Sequence, residues 1–215
     1  MLLYHGSRVI VPQPEYGKGV PFNDYGSGFY CTEHLELAKE WACQDLSGGY
    51  VNRYELDTNG FAVLELNHYS ILHWLALLVH NRRFRTTSAL MAEGKEWLEA
   101  EYLLDLEPYD LIVGYRADDS YFRFARAFLQ NGLSIEALEQ AMHLGELGEQ
   151  IVLKSQKSFD RITFQSAESV DGAVYYQRRL ERDALARAQY DTIQKDIGTG
   201  GTYLLDLLRR EEERE

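Results

Sequence analysis

LLYHGSRVI (residues 2–10) and DYGSGFYCTEHLELAKEWA (residues 24–42) are the two stretches of this sequence from which its fold can be worked out. The first is a short apolar run, and it predicts a strand that ends at Gly6. The second contains a glycine-rich turn, the short extended segment GFYCT and then a helical pattern, with Thr32 as the expected N-cap. A histidine turn and a tyrosine turn therefore lie close together near the start of the chain.

The rest of the chain mixes strands and helices without a regular alternation. Further strands are predicted in YVNRYELD, FAVLEL, YDLIVGY, EQIVLKS and DRITFQ, and helices near residues 70–82, 93–104, 121–132 and 134–147. A long charged helix is expected from about residue 171, followed by a last short helix. About six strands in this order favour an α+β fold over a doubly wound sheet.

Composition narrows the classes of protein further. With 215 residues, of which 45% are hydrophobic and 26% charged, the chain suits one compact domain with a helical extension. The net charge of -12 argues against non-specific binding of polyanions, because phosphate affinity comes from clustered Lys and Arg. One basic patch, NRRFR, carries Arg82, Arg83 and Arg85 around a phenylalanine, a combination that suits single-stranded nucleic acid. Stabilisation of a helix C-terminus is the alternative interpretation of this patch.

Several common signatures are absent from the sequence. It contains no phosphate-binding G-x-x-x-x-G-K-[ST], no G-x-S-x-G, no H-E-x-x-H and no C-x-x-C, so we expect no metal site. Cys31 and Cys43 are expected to be reduced and buried. No signal peptide is evident, and the most apolar stretch, ILHWLALLV, is too short to span a bilayer. We therefore expect a cytoplasmic protein with no membrane partner.

Three segments resemble, in order, the His-Tyr-Glu motifs of the ADP-ribosyltransferases of the diphtheria-toxin and poly(ADP-ribose) polymerase branch. LYHGSR resembles the histidine motif, YGSGFYCTEHLELAKEWA resembles the tyrosine motif, and GEQIVLKS resembles the strand that begins with the catalytic glutamate. The whole chain looks like an uncharacterised bacterial domain family with this fold. The resemblance implies a split β-sheet core surrounded by helices, a catalytic domain over residues 1–168, and a C-terminal helical extension over 169–215 packed on that domain.

The resemblance also implies which residues form the site, with NAD as the substrate. The implied catalytic residues are His5, Tyr30 and Glu149. The implied NAD-binding residues are His5, Gly6, Ser7, Arg8, Gly28, Tyr30 and Trp41. Cleavage of the nicotinamide–ribose bond passes through a cationic sugar, so the site needs an aromatic face for the pyridinium and a carboxylate near the developing charge.

Some positions have competitors within the sequence. Glu146 and Gln150 are rivals of Glu149, and a register error of one residue would place Gln150 in the site instead. The loop GYRADDSYF, residues 114–122, brings Arg116, Asp118, Asp119 and Tyr121 to a predicted strand end, where capping of the next helix is the competing role.

The function predicted from these observations is an NAD-dependent mono-ADP-ribosyltransferase that releases nicotinamide. The resemblance implies a bacterial toxin or defence effector, with an antitoxin protein as a further partner. A protein acceptor is slightly favoured over nucleic acid, because the net charge opposes docking of nucleic acid. An NAD glycohydrolase with the same site and a non-catalytic NAD-binding module are the alternatives.

Overall fold

The computed structural model describes residues 1–116, 119–142, 149–197 and 201–213, except for the side chains of 119–121, 193–197 and 212. Seven strands and eight α-helices occur in these ranges, so the α+β class is confirmed. The strands are β1 (Leu2–Ser7), β2 (Phe29–Cys31), β3 (Gly49–Leu56), β4 (Val63–Glu65), β5 (Leu111–Tyr115), β6 (Glu149–Leu153) and β7 (Ile162–Val170). The helices are α1 (Leu35–Ala42), α2 (Ile71–Asn81), α3 (Ala89–Glu101), α4 (Asp119–Leu129), α5 (Ile135–Met142), α6 (Gln156–Asp160), α7 (Gly172–Ile197) and α8 (Leu204–Glu212).

Local signals account for several helix boundaries. Ser70, Ser88 and Ser134 accept hydrogen bonds from backbone N–H groups in the first turns of α2, α3 and α5, as N-cap residues do. The N-cap of α1 is His34 rather than Thr32. Thr32 instead accepts a hydrogen bond from the His34 N–H at 3.2 Å, so it shapes the turn before the helix.

The strands form two sheets that meet near the N-terminus. One sheet has the order β1-β3-β7 and is antiparallel, and the other has the order β2-β6-β5-β4, with only β4 and β5 parallel. The backbones of Tyr4 and Thr32 exchange two hydrogen bonds, of 2.8 and 3.0 Å, and so link β1 to the residue that follows β2. Beyond this bridge the two sheets diverge, and the ends of β1 and β2 that carry the histidine and tyrosine turns face the same space.

Helices cover both sheets. The almost wholly apolar α2 lies in the main core, against the second sheet and the other helices, while α1 packs on the first sheet. Leu204 and Leu208 of α8 are also buried in the main core. The domain boundary expected between residues 168 and 169 falls inside β7, because that strand continues to Val170.

The helix α7 is bound to α1 by a partly buried ion pair. Arg182 donates two hydrogen bonds to Glu40, at 2.7 and 2.8 Å, and the Glu40 side chain is only 6% exposed. One helical turn away, Arg178 donates to Glu36 at 2.8 Å, but there both side chains are more than half exposed. The same bond type therefore occurs in two environments between the same two helices.

Replacing Arg182 by methionine is expected to lower the free energy of unfolding by about 2–3 kcal/mol, because Glu40 would keep a buried charge without its partner. The matched control, Arg178→Met, should cost less than about 1 kcal/mol, since exposed pairs are screened by water. Urea denaturation of both variants measures the difference. Equal costs for the two variants would contradict the burial argument.

Candidate functional site

A cleft of about 500 Å³ opens where the two sheets diverge. Five residues of the histidine and tyrosine turns and of α1 line it together: His5, Gly6, Gly28, Tyr30 and Trp41. The lining also includes residues from later in the chain and from the loop between β1 and β2, among them Asp24, Arg82, Arg116 and Gln150. This volume lies within the range of small-molecule sites.

His5 is held in one orientation at the end of β1. Its Nδ1 lies 2.7 Å from the Tyr30 carbonyl oxygen, which only accepts, so Nδ1 carries the proton. The ring packs on Phe29 with centroids 4.4 Å apart. Burial lowers the pKa of His5, more than the hydrogen bond to the Tyr30 carbonyl raises it. The imidazole is therefore neutral at pH 7, and its Nε2 is an acceptor for a ligand hydroxyl.

The lowered pKa of His5 predicts a pH dependence of stability. As pH falls below about 6.5, the unfolded chain binds a proton at His5 that the folded protein does not. The free energy of unfolding therefore falls on acidification, by up to about 1.4 kcal/mol per pH unit. His5→Gln should therefore be more destabilising at about pH 7.5 than at about pH 5.5. Urea denaturation of both proteins at the two pH values measures this, and an equal cost at both would contradict it.

Tyr30 lines the cleft, and its hydroxyl is hydrogen-bonded within the glycine-rich turn. The hydroxyl donates to the Gly26 carbonyl at 2.6 Å and accepts from the Tyr25 N–H at 3.1 Å. Burial is the main cause that raises the pKa of Tyr30 well above its usual value, so the phenol stays neutral. The tyrosine therefore anchors the glycine-rich turn and is not placed to act as an acid or base.

The register of β6 brings Gln150, not Glu149, into the cleft. Tyr30 lies opposite Val152, so these two side chains are on the same face of the sheet. Gln150 is two residues before Val152 on β6, opposite Gly114, and therefore shares that face with Tyr30. Gln150 is 3% exposed. Glu149 is on the other face, exposed, and hydrogen-bonded to Asn67. The expectation that Glu149 faces the site is thus not met. The pairing of β6 with β5 and β2 turns the side chain of the next residue, Gln150, toward the cleft instead.

The amide of Gln150 has only one possible orientation. Its Nε2 donates to Asp24 Oδ2 and to the Tyr115 carbonyl, both at 3.0 Å, and reversing the amide would set oxygen against oxygen. Its Oε1 accepts no hydrogen bond from the described part of the chain. Oε1 is therefore the atom that Gln150 offers to a ligand.

Asp24 supplies a buried negative charge to the cleft and was not identified from the sequence. It is 5% exposed, and Arg82 donates to its Oδ1 at 2.7 Å. The carboxylate thus bonds both Arg82 and Gln150, and it polarises the Gln150 amide, which makes Oε1 a stronger acceptor. Its position directly before the YGSG turn was the one signal in the sequence that could have drawn attention to it.

Trp41 holds a cation over its ring. The guanidinium of Arg116 lies 4.5 Å from the ring centroid, so a cation already covers one face of this indole. The indole Nε1 is buried without a hydrogen-bond partner in the described residues. The arrangement presents Arg116 in the cleft as a candidate group for binding an anion.

Other predicted residues lie away from the cleft. Ser7 donates to the Val9 carbonyl at 2.6 Å, and Arg8 forms an exposed ion pair with Asp45. Both therefore shape the loop after β1 and do not line the cleft. Glu146, Asp118 and the side chains of Asp119 and Tyr121 lie outside the described residues.

The described ranges contain no group of three or more His, Cys, Asp or Glu side chains that could hold a metal ion. None of their helices is both long and apolar enough to cross a membrane. Cys31 and Cys43 are free and buried, as expected.

The family model described as "Protein of unknown function (DUF3990)" matches residues 1–164, which include every cleft residue named above. No curated protein and no solved structure matches the chain.

Proposed function

The chain belongs to the DUF3990 family of proteins of unknown function, and we propose from the geometry of its cleft that it is an NAD-dependent mono-ADP-ribosyltransferase. The observation that carries this proposal is the convergence of His5, Tyr30 and Gln150, from three separate strands, on one cleft between diverging sheets. A split-sheet ADP-ribosyltransferase core would have this arrangement. Gln150 takes the position that the resemblance assigns to a glutamate.

The groups in the cleft fit the parts of NAD. The ring of Tyr30 offers a flat apolar face for the pyridinium of nicotinamide, which an aromatic ring also attracts electrostatically. His5 Nε2 can accept a hydrogen bond from a ribose hydroxyl. Arg116, held on Trp41, is a suitable partner for the pyrophosphate, because guanidinium binds phosphate oxygens in a fork.

The reaction replaces one bond at the ribose C1′ by another. The bond to the nicotinamide nitrogen breaks, its electron pair leaves with nicotinamide, and a nucleophile of the acceptor bonds to C1′ and gives its proton to water. Between these events the ribose carries positive charge. The negative end of the polarised Gln150 amide, backed by the Asp24 carboxylate, stabilises that charge.

Incubation with NAD labelled in the adenylate moiety tests the proposal. We expect nicotinamide release, with label transferred to a macromolecule when cell lysate is present. Nicotinamide release with free ADP-ribose as the only labelled product would identify a glycohydrolase instead. NAD binding without any release would identify a non-catalytic NAD-binding module, which the glutamine at position 150 makes a specific alternative.

The contribution of Tyr30 can be measured separately from catalysis. Tyr30→Ala is expected to weaken NAD binding by about 0.5–2 kcal/mol, because the face for the pyridinium is lost. Tyr30→Phe is the matched control, since it keeps the ring and loses only the hydroxyl bonds to Tyr25 and Gly26. Calorimetry on the folded variants decides, and equal affinity for Tyr30→Ala and wild type would remove this ring from the NAD site.

A further inference from the structure

A second, more open groove of about 410 Å³ lies beside the cleft, at the C-terminal end of α2. We call it the Arg–Phe groove, and its walls include Phe22, Arg83, Phe84, Arg85 and Lys95. Arg82 lines both this groove and the cleft, so the two sites are adjacent.

The Arg–Phe groove has an excess of positive charge although the whole chain is acidic. Arg83 and Arg85 are exposed, and neither has an acidic partner in the described part of the chain. Glu99 lies 3.7 Å from Lys95 and 3.1 Å from His80. Its carboxylate therefore offsets the positive charge of Lys95 at this end of the groove. Two arginines therefore remain available to an anion.

Flat surfaces accompany these charges. The guanidinium of Arg83 lies 4.2 Å from the centroid of the Phe22 ring, and Phe22 is 45% exposed. Beside them, Arg126 lies 4.7 Å from the centroid of the Phe84 ring and donates to the Arg85 carbonyl at 2.9 Å. Exposed rings and guanidinium planes are the groups on which unpaired nucleobases stack.

We propose that the Arg–Phe groove binds single-stranded nucleic acid, with phosphates on Arg83 and Arg85 and a base stacked on Phe22. Such a strand uses both the charge and the flat surfaces, whereas an acidic protein would use the charge alone. The preference for a protein acceptor rested on the net charge of -12, but affinity depends on charge concentrated at the groove.

The position of the groove makes the bound strand the acceptor, a role that rests on the proposed function. A strand in the groove can pass Arg82 and place a nucleophilic oxygen or nitrogen in the cleft. That atom bonds to C1′ of the ADP-ribosyl group and loses its proton to water, while nicotinamide leaves with the electron pair of the broken bond. Arg82 thus lies between the groove that binds the strand and the cleft in which the ADP-ribosyl group is transferred.

Fluorescence anisotropy with short labelled oligothymidylate and oligouridylate tests the binding without NAD. We expect binding that weakens roughly sevenfold between about 50 and about 200 mM salt, as for the two phosphates that Arg83 and Arg85 neutralise on a single strand. The Arg83→Ala/Arg85→Ala double variant should bind about tenfold more weakly or worse. Phe22→Ala should also weaken binding, with a smaller change in salt dependence, because it removes a stacking surface and no charge.

Charge-matched and functional controls make the outcome specific. Arg53→Ala/Arg210→Ala removes two exposed arginines elsewhere and should bind like wild type. All three variants should release nicotinamide from NAD at the wild-type rate when no acceptor is present. Equal oligonucleotide affinity in wild type and the Arg83/Arg85 variant, or tighter binding of a polyglutamate peptide than of either oligonucleotide, would overturn the inference. Oligonucleotide binding together with no NAD cleavage would instead overturn the proposed function, while the inference that the groove binds single-stranded nucleic acid would stand.

Discussion

Replacing Gln150 by alanine is expected to slow nicotinamide release about 100-fold, with little change in the affinity for NAD. The substitution removes Oε1, the acceptor that faces the cationic ribose, whose charge is greatest in the transition state. It leaves Asp24 bonded to Arg82, so the carboxylate stays in place. Single-turnover rates and calorimetric dissociation constants, measured on protein shown to be folded, separate the two effects.

The neighbouring residue provides the control. Glu149→Gln should keep the wild-type rate, because this side chain is exposed on the opposite face of β6 and contacts Asn67. The sequence alone led to the opposite expectation for Glu149. A large loss in Glu149→Gln with none in Gln150→Ala would show that the carboxylate at 149 acts, and that β6 pairs one residue out of the register described above.

Gly6→Ala is expected to lower the free energy of unfolding by about 3 kcal/mol, at the upper end of the cost of overpacking. A Cβ atom at residue 6 would lie 2.1 Å from the Ala38 carbonyl oxygen and 2.6 Å from the Ala42 nitrogen, which are both backbone atoms of α1. Since neither atom can rotate away, α1 must shift from β1. The shift moves Trp41, so NAD affinity should fall as well.

Gly132→Ala is the matched control for this substitution. Its nearest contact would be the Ala127 carbonyl oxygen at 3.4 Å, an ordinary van der Waals distance. Thermal denaturation should show a large loss of stability for Gly6→Ala and almost none for Gly132→Ala. Similar melting temperatures for both variants would mean that the approach of α1 to β1 is looser than described.

The sequence by itself determined the elements whose signals are local. The serines before α2, α3 and α5 cap their helices because a side-chain hydroxyl needs only the next few backbone N–H groups. The apolar run of α2 predicts a buried helix wherever it is placed. The resemblance to the His-Tyr-Glu motifs also led to the expectation that His5, Gly6, Gly28, Tyr30 and Trp41 belong to one site, and all five line the cleft.

Only the tertiary structure decided which groups complete that cleft. Alternation along β6 is local, but its phase is set by pairing with β2 and β5, and nothing in the sequence selects Gln150 over Glu149. Asp24 meets Arg82 across 58 positions of the chain. Contacts of this kind depend on how the two sheets diverge and on where α2 ends against them. Neither can be predicted from the spacing of residues along the chain.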